Sequence, residues 1–339
     1  MKTLVKLFAA AMAFSAVAVG TAAHAQDYKP RMIRFGYGLA EESNQGRAVK
    51  FFADDLAKRT GNKLRVRGFA SATLGSDIQM QNALVGGAQE MMVGSTATLV
   101  GIVPEFGVYD LPFLFANERE ADAILDGPFG QKLIAKLEEK GLVGLVYWEN
   151  GFRNLTNSKR PINRVEDLQG IKLRVMQNPV YIDMFNSFGA NAVPLSFSEL
   201  FTALETGAVD GQENPVNTIQ SSKFYEVQKH LALTRHVYSP WIVLASKRWW
   251  DGLSADEKKA IHETAIASRD FERRDSREGA AKAVSFLKEK GMQVTEPSEA
   301  EIARMRELSK PALLKFANAG HGALINELQA ELEKVRKQK

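Results

Sequence analysis

The chain has no cysteine in 339 residues. That excludes a disulfide framework, thiolate catalysis and cysteine-based metal sites, so the fold must rest on burial alone. Histidine is scarce, five in all, and none of the four beyond the first 25 residues (His230, His236, His262, His321) stands at metal-ligand spacing. Each reads as a surface or capping residue. The signatures of a nucleophile elbow, a zinc-protease helix and a phosphate-binding loop are absent. Adjacent acids such as Glu41-Glu42 and Asp54-Asp55 diverge rather than converge, unlike a catalytic carboxylate pair. Charge of one sign is also lacking. Forty-four Lys and Arg against 40 Asp and Glu leave a net charge of +4, with the signs interleaved, which argues against a nucleic-acid partner.

Only one long apolar run is present, at the N-terminus. Lys2 and Lys6 precede the run Leu7–Val19, and Ala23-His24-Ala25 follows it. This is the pattern of a secretory signal peptide over residues 1–25, cleaved after Ala25, and it predicts an exported protein. The run is too short, and too closely followed by small residues, for a membrane-spanning helix.

Beyond it, apolar β-type runs alternate with helical periodicity: strands at 32–36, 64–67 and 90–94 with helices between them. Ser76 or Asp77 caps one helix, and Ser95-Thr96 lies at the carboxyl end of the third strand. The pair Gly36 and Gly38 lacks the third glycine of a dinucleotide site. Glu41 stands there instead. A buried strand over 142–148 should reach a domain crossing at Glu149-Asn150-Gly151, and a second unit should begin at Phe152–Thr156 with Arg153 on a strand. The stretch 170–215 reads as βαβαβ, with Arg174 inside its first strand and Ser196 with Glu199 as a capping box. Residues 224–231 read as helix, 235–245 as a return strand crossing, and 249–283 as helix with Gly252 and Gly279 as breakers. The end from Glu299 reads as helix. No repeat or linker interrupts the chain.

Arginine on a strand presents a planar fork that fits a carboxylate with two parallel hydrogen bonds. The competing reading is that Arg153 and Arg174 each pair with a structural acid. The strings IKLRV (171–175), GANAVPLSFSELFTAL (189–204) and GAVDGQENP (207–215) decide between them. With FGYG (35–38), LGSD (74–77), GFRNLTN (151–157) and KFYEVQKHL (223–231), they make the chain resemble the solute receptors of tripartite ATP-independent periplasmic (TRAP) transporters, of the DctP type. The resemblance covers nearly the whole chain beyond the leader.

The resemblance implies an α/β, two-lobed periplasmic binding protein fold with hinge strands and a long helix joining the lobes. Lobe I is expected at 26–150 plus about 240–279, and lobe II at 151–239 plus about 280–330. It implies that Arg153 and Arg174 hold a ligand carboxylate, that Asn214 hydrogen-bonds it, and that Phe197 packs on the ligand. Asn44, Gln45, Asp77, Ser95 and Thr96 are candidates for reading the rest of the ligand, and Trp241 for stacking on it. Receptors of sialic acids carry Glu where Ser95 stands, which counts against an amino sugar. The neutral candidates suit hydroxyls, so a sugar acid such as D-glucuronate or D-galacturonate is expected. A C4-dicarboxylate or keto acid is the alternative, and a periplasmic enzyme acting on acidic sugars a further one. TRAP permease subunits are the expected partners. No cofactor, metal or catalytic residue is expected.

Overall fold

The computed structural model describes residues 27–338; the expected leader and its cleavage site lie outside the described residues. The chain runs β1 (Arg31–Tyr37), α1 (Asn44–Arg59), β2 (Leu64–Phe69), α2 (Asp77–Gly86) and β3 (Met91–Ser95), then α3 (Glu118–Asp126), α4 (Pro128–Ala135) and β4 (Leu142–Asn157). It continues through β5 (Lys172–Val175), α5 (Pro179–Ser187), β6 (Asn191–Pro194), α6 (Leu200–Glu205), β7 (Gly211–Pro215), α7 (Val216–Ser221) and β8 (His230–Ser246). It closes with α8 (Lys247–Asp251), α9 (Ala255–Glu289), β9 (Gln293–Thr295), α10 (Glu299–Leu308), α11 (Lys310–Phe316) and α12 (Gly322–Lys337). Among the described residues no helix is long and apolar enough to cross a membrane.

One sheet carries both halves, in the order β2-β1-β3-β8-β4-β7-β5-β6, with β9 also on β8. β1 lies parallel between β2 and β3, and β5 parallel between β6 and β7. The strand–helix alternation had predicted both parallel units, because parallel neighbours need a helical crossover. Between them, β4 and β8 run antiparallel for 16 and 17 residues, from Leu142 opposite Ser246 to Asn157 opposite His230. The expected crossing at Glu149–Gly151 is therefore an irregularity inside a continuous strand. The register shifts between Glu149 and Gly151 and again between Arg153 and Leu155. Gly151 sits at φ +114°, which a side chain would strain. Such bulges bend a strand and sharpen its twist without ending it.

Helix α9 joins the halves. Ala260, Ile261 and Ala265 near its start pack with β1, β3 and α1, while Ala283 and Leu287 near its end pack with α6, α7 and β9. Ser254 and Glu257 form its capping box, so the helix begins after a real break at 252–254. Gly279 does not break it, contrary to the sequence expectation. A Cβ there would come 3.0 Å from Asn217 Oδ1, and Asn217 donates to the Ser276 carbonyl at 2.7 Å, so the glycine lets α7 press against α9.

Three further expectations are corrected. Only Phe224–Glu226 is helical within 224–231, because His230 onward pairs with both β4 and β9. Ser196 caps no helical N–H: its hydroxyl bonds the Glu199 carboxylate directly, and a single 3₁₀ turn leads into α6. The end of the chain is not wholly part of the second half. Ile325, Leu328 and Leu332 of α12 pack into the core around Met80, Leu84 and Phe106, on the side expected as lobe I.

Candidate functional site

The two parallel units face each other across β4 and β8, and a cavity partly open to solvent lies between them. Arg153, Arg174, Asn214, Phe197, Asp77, Ser95, Gln45 and Trp241 all line it. β3 ends at Ser95, beside Trp241 of β8 in the ladder. β5 carries Arg174, and β7 carries Asn214. The cavity thus sits at the carboxyl ends of parallel strands, where open α/β sheets place their ligands.

Arg174 is 2% exposed, and its Nε donates to the Leu195 carbonyl at 2.8 Å. Its Nη1 is buried without a partner, and no carboxylate pairs with it among the described residues. Burial pushes its pKa down to about 10 while Glu213 pulls it up, so it stays cationic at neutral pH. A buried guanidinium without a counter-charge is costly, and an entering carboxylate relieves that cost.

Arg153 differs. It is fully buried and bound to Glu213. Its Nε bonds the carboxylate, and its Nη2 bonds Glu213 Oε1 at 2.8 Å and the Glu213 carbonyl at 2.6 Å. The fork that would hold a ligand carboxylate is thus largely taken by Glu213, and only Nη1 is unpartnered. Burial acts to raise the Glu213 pKa, but Arg153 and His236 more than offset it, holding the carboxyl below its ordinary value. Burial lowers the His236 pKa, which leaves the ring neutral at neutral pH. A carboxylate only accepts, so His236 Nε2 carries the proton toward Glu213 at 3.1 Å, and Nδ1 accepts from the Thr234 hydroxyl at 2.8 Å. His236 is therefore a core residue and not the surface or capping group expected of it.

The polar candidates divide. Asp77 accepts from the Ser95 N–H at 2.9 Å, and burial raises its pKa against the pull of that bond and of Arg174. Gln45 accepts the Leu39 N–H at 3.0 Å, which orients its amide in the wall. Asn214 donates to Gln212 Oε1 at 2.5 Å. Phe197 is half-buried, with its ring 6.1 Å from that of Phe224, and Trp241 is a buried core residue that also lines the cavity. Two candidates do not reach it. Asn44 turns to α9 and donates to Ser276 Oγ at 2.7 Å; Thr96 is fully buried and donates to the Pro240 carbonyl at 3.2 Å. On a helix, adjacent residues point about 100° apart, so Gln45 and Asn44 cannot both face the cavity.

Sequence reasoning missed Thr98, Asn150, Gln177 and Thr218, which also line the space. Asn150 stood in the Glu149–Gly151 string already marked as a crossing. Glu213 stood next to Asn214 in the string that carried the resemblance, and strand alternation turns it to the other face. Among the described residues no cluster of His, Asp and Glu could hold a metal ion.

Gly46 connects this wall to its backbone. A Cβ there would meet the carbonyl oxygens of Ala40, at 2.6 Å, and Glu41. Backbone cannot yield as a side-chain tip does. Gly46→Ala is expected to cost about 1–3 kcal/mol as an overpacking and to weaken ligand binding by displacing Gln45. Melting curves with and without ligand check this; a parental melting temperature would contradict it.

Comparison with known proteins agrees with this geometry. Residues 35–319 match the family model DctP, the bacterial extracellular solute-binding proteins of family 7. The chain is similar to the sugar acid binding protein DctPAm of Advenella mimigardefordensis, solved in complex with galactonate. The two share 50% identity with a TM-score of 0.90 over 91% of this chain and all of that one. A TRAP solute-binding protein of Polaromonas sp. JS666 bound to D-erythronate shares 40% identity with a TM-score of 0.85, over 88% of this chain and 98% of that one. The 2,3-diketo-L-gulonate-binding periplasmic protein YiaO of Escherichia coli K12 is 40% identical over 77% of this chain and 80% of its own. A match over most of the chain and a two-lobed α/β fold with an arginine-lined cavity between its halves lead to one conclusion: the chain belongs to the DctP family of TRAP periplasmic solute-binding proteins, which bind their solutes and do not transform them.

Proposed function

We propose that the protein captures an open-chain sugar acid in the periplasm and presents it to a TRAP permease. The observation that carries this is Arg174: a buried guanidinium with a free Nη1, in a cavity whose lining is otherwise mostly hydroxyls, amides and apolar groups, with Asp77 and the Glu213-bound Arg153 as its other charged residues. The carboxylate of the ligand sits on Arg174, with Arg153 Nη1 and Asn214 beside it. Gln45, Ser95, Thr98 and Asn150 serve the hydroxyls. The two units close on the ligand about β4 and β8, and the ligand favours the closed arrangement by touching both.

Charge selects against a dicarboxylate. Glu213 occupies Arg153, and on the facing Ser95 wall Asp77 offers an acceptor and no cation. One unpaired cation serves one carboxylate; a second would enter beside Asp77 without a partner. Two of the similar proteins were solved with galactonate and D-erythronate, and the third is named for binding 2,3-diketo-L-gulonate, all of them sugar acids. This supports an aldonate ahead of the uronates that the sequence suggested.

Calorimetric titration with D-galactonate, D-gluconate, D-erythronate, D-glucuronate, D-galacturonate and succinate tests the reading. A site built for hydroxyls rejects an analogue that lacks them, so the aldonates are expected to bind at least about a hundredfold more tightly than succinate. Succinate binding as tightly as the best sugar acid would overturn the assignment.

A further inference from the structure

Asn178 caps α5, and its side-chain oxygen accepts the Val180 N–H at 2.8 Å. A serine would cap as well. What asparagine adds is the amide nitrogen, and here that nitrogen reaches back across the fold. It donates to the Ala97 carbonyl at 3.1 Å and to Asp110 Oδ2 at 2.8 Å, with all three residues fully buried. Ala97 lies inside the turn that carries two cavity hydroxyls: its N–H donates to Ser95 Oγ at 3.3 Å, and Thr98 Oγ1 donates to the Ser95 carbonyl at 2.8 Å. On the other side, Arg174, Met176 and Gln177 of the cavity lining immediately precede Asn178 in the chain.

We propose that Asn178 is a positioning residue for ligand capture: its carboxamide ties the Ser95–Thr98 wall to the Arg174–Gln177 wall from behind, without lining the cavity itself. The proposal rests on the cavity being the ligand site, not on which acid fills it. When the walls separate to release ligand, these bonds stretch or break, so the tie holds the closed arrangement and slows release. Asp110 suits the role of acceptor. No cation pairs with it among the described residues, and Arg153, Glu213 and Tyr181 are the ionisable groups around it. Burial pushes its pKa up to about 8 against the pull of Arg153, so it accepts from Asn178 mostly as a neutral group.

The test is release of D-galactonate, or of whichever acid of the panel binds the parent most tightly, followed by stopped-flow tryptophan fluorescence, with Trp241 in the wall as reporter. Asn178→Ser keeps the cap and removes the donor. It is expected to release ligand about tenfold faster, to associate within about threefold of the parental rate, and to melt within a few degrees of the parent without ligand. Asp110→Asn keeps an acceptor oxygen and is expected to release at less than about twice the parental rate. Should Asn178→Ser fail to fold, Asp110→Ala leaves the cap intact and is expected to release at least about threefold faster. Parental binding with unchanged release from these variants overturns the tie alone. Slower association with unchanged release would make Asn178 an entry residue and overturns it too. Failure of the parent to bind any acid of the panel overturns the reading of the cavity, and the tie falls with it.

Discussion

Arg174→Ala is expected to lose at least about a hundredfold in sugar-acid affinity while remaining folded. Breaking a buried ion pair costs roughly 3–5 kcal/mol, and each 1.4 kcal/mol is about tenfold. The fold should survive for a specific reason. Without ligand, no carboxylate among the described residues pairs with the buried guanidinium, so its removal relieves a desolvation cost and gives up the bond to the Leu195 carbonyl at 2.8 Å and a longer-range attraction to Glu213. Arg174→Lys is expected to recover part of the binding, since a compact ammonium cannot reproduce the fork. Titration calorimetry with circular dichroism as folding control decides the matter. A folded Arg174→Ala that binds within about threefold of the parent would make Arg174 a structural residue and remove the main support for the site.

Glu213→Ala is expected to act the other way, on stability first. It strips Arg153 of its carboxylate inside the core and leaves the His236 Nε2–H without its acceptor. An uncompensated buried charge costs roughly 3–5 kcal/mol, a large share of the 5–15 kcal/mol that holds a typical protein together. The melting temperature should fall by on the order of 10 °C in a chain of this size. Glu213→Gln keeps the shape and should lose less. The pair also sets an acid dependence. The Glu213 carboxyl is held below its ordinary value in the fold, so its contribution is present above the unfolded value near about 4.3 and is lost as pH falls through the lower folded value. Urea midpoints measured from pH 6 down to pH 3 should drop for the parent more steeply than for Glu213→Gln. Parallel curves would show that the pair contributes no acid-linked stability.

The contrast between the two arginines shows how far sequence reasoning reaches. Both stand on strands, and both belong to strings that resemble the family's carboxylate-binding motifs. Arg174 keeps that possibility because its ladder partners, Val193 on β6 and Gln212 on β7, are neutral and bring no carboxylate to it. Arg153 became half of a structural pair because β7 lies against β4 and brings Glu213 to it, 60 residues further along the chain. The same holds for the polar candidates. Ser95 and Asp77 are local neighbours of a strand end and a helix start, and they line the cavity as their positions suggested. Thr96 and Asn44 were drawn to Pro240 and Ser276, 144 and 232 residues away.

Sequence alone determined the elements whose cause is local. Helical and alternating periodicity specified the two parallel βαβ units, and unbroken apolar runs specified the core strands. Ordered strings carried the family, and within them a cation on the first strand of the second unit pointed to the carboxylate site proposed above. Tertiary structure alone decided that β4 and β8 pass unbroken through both halves, that Gly279 serves contact between helices rather than a break, that α12 returns to the first core, and which buried arginine keeps a free hand for the ligand. The physical reason is one of range. Periodicity reports which face of an element is buried, but hydrogen-bond and ion-pair partners are chosen among groups brought together by folding, and a buried polar group takes whichever partner the completed core places within its reach.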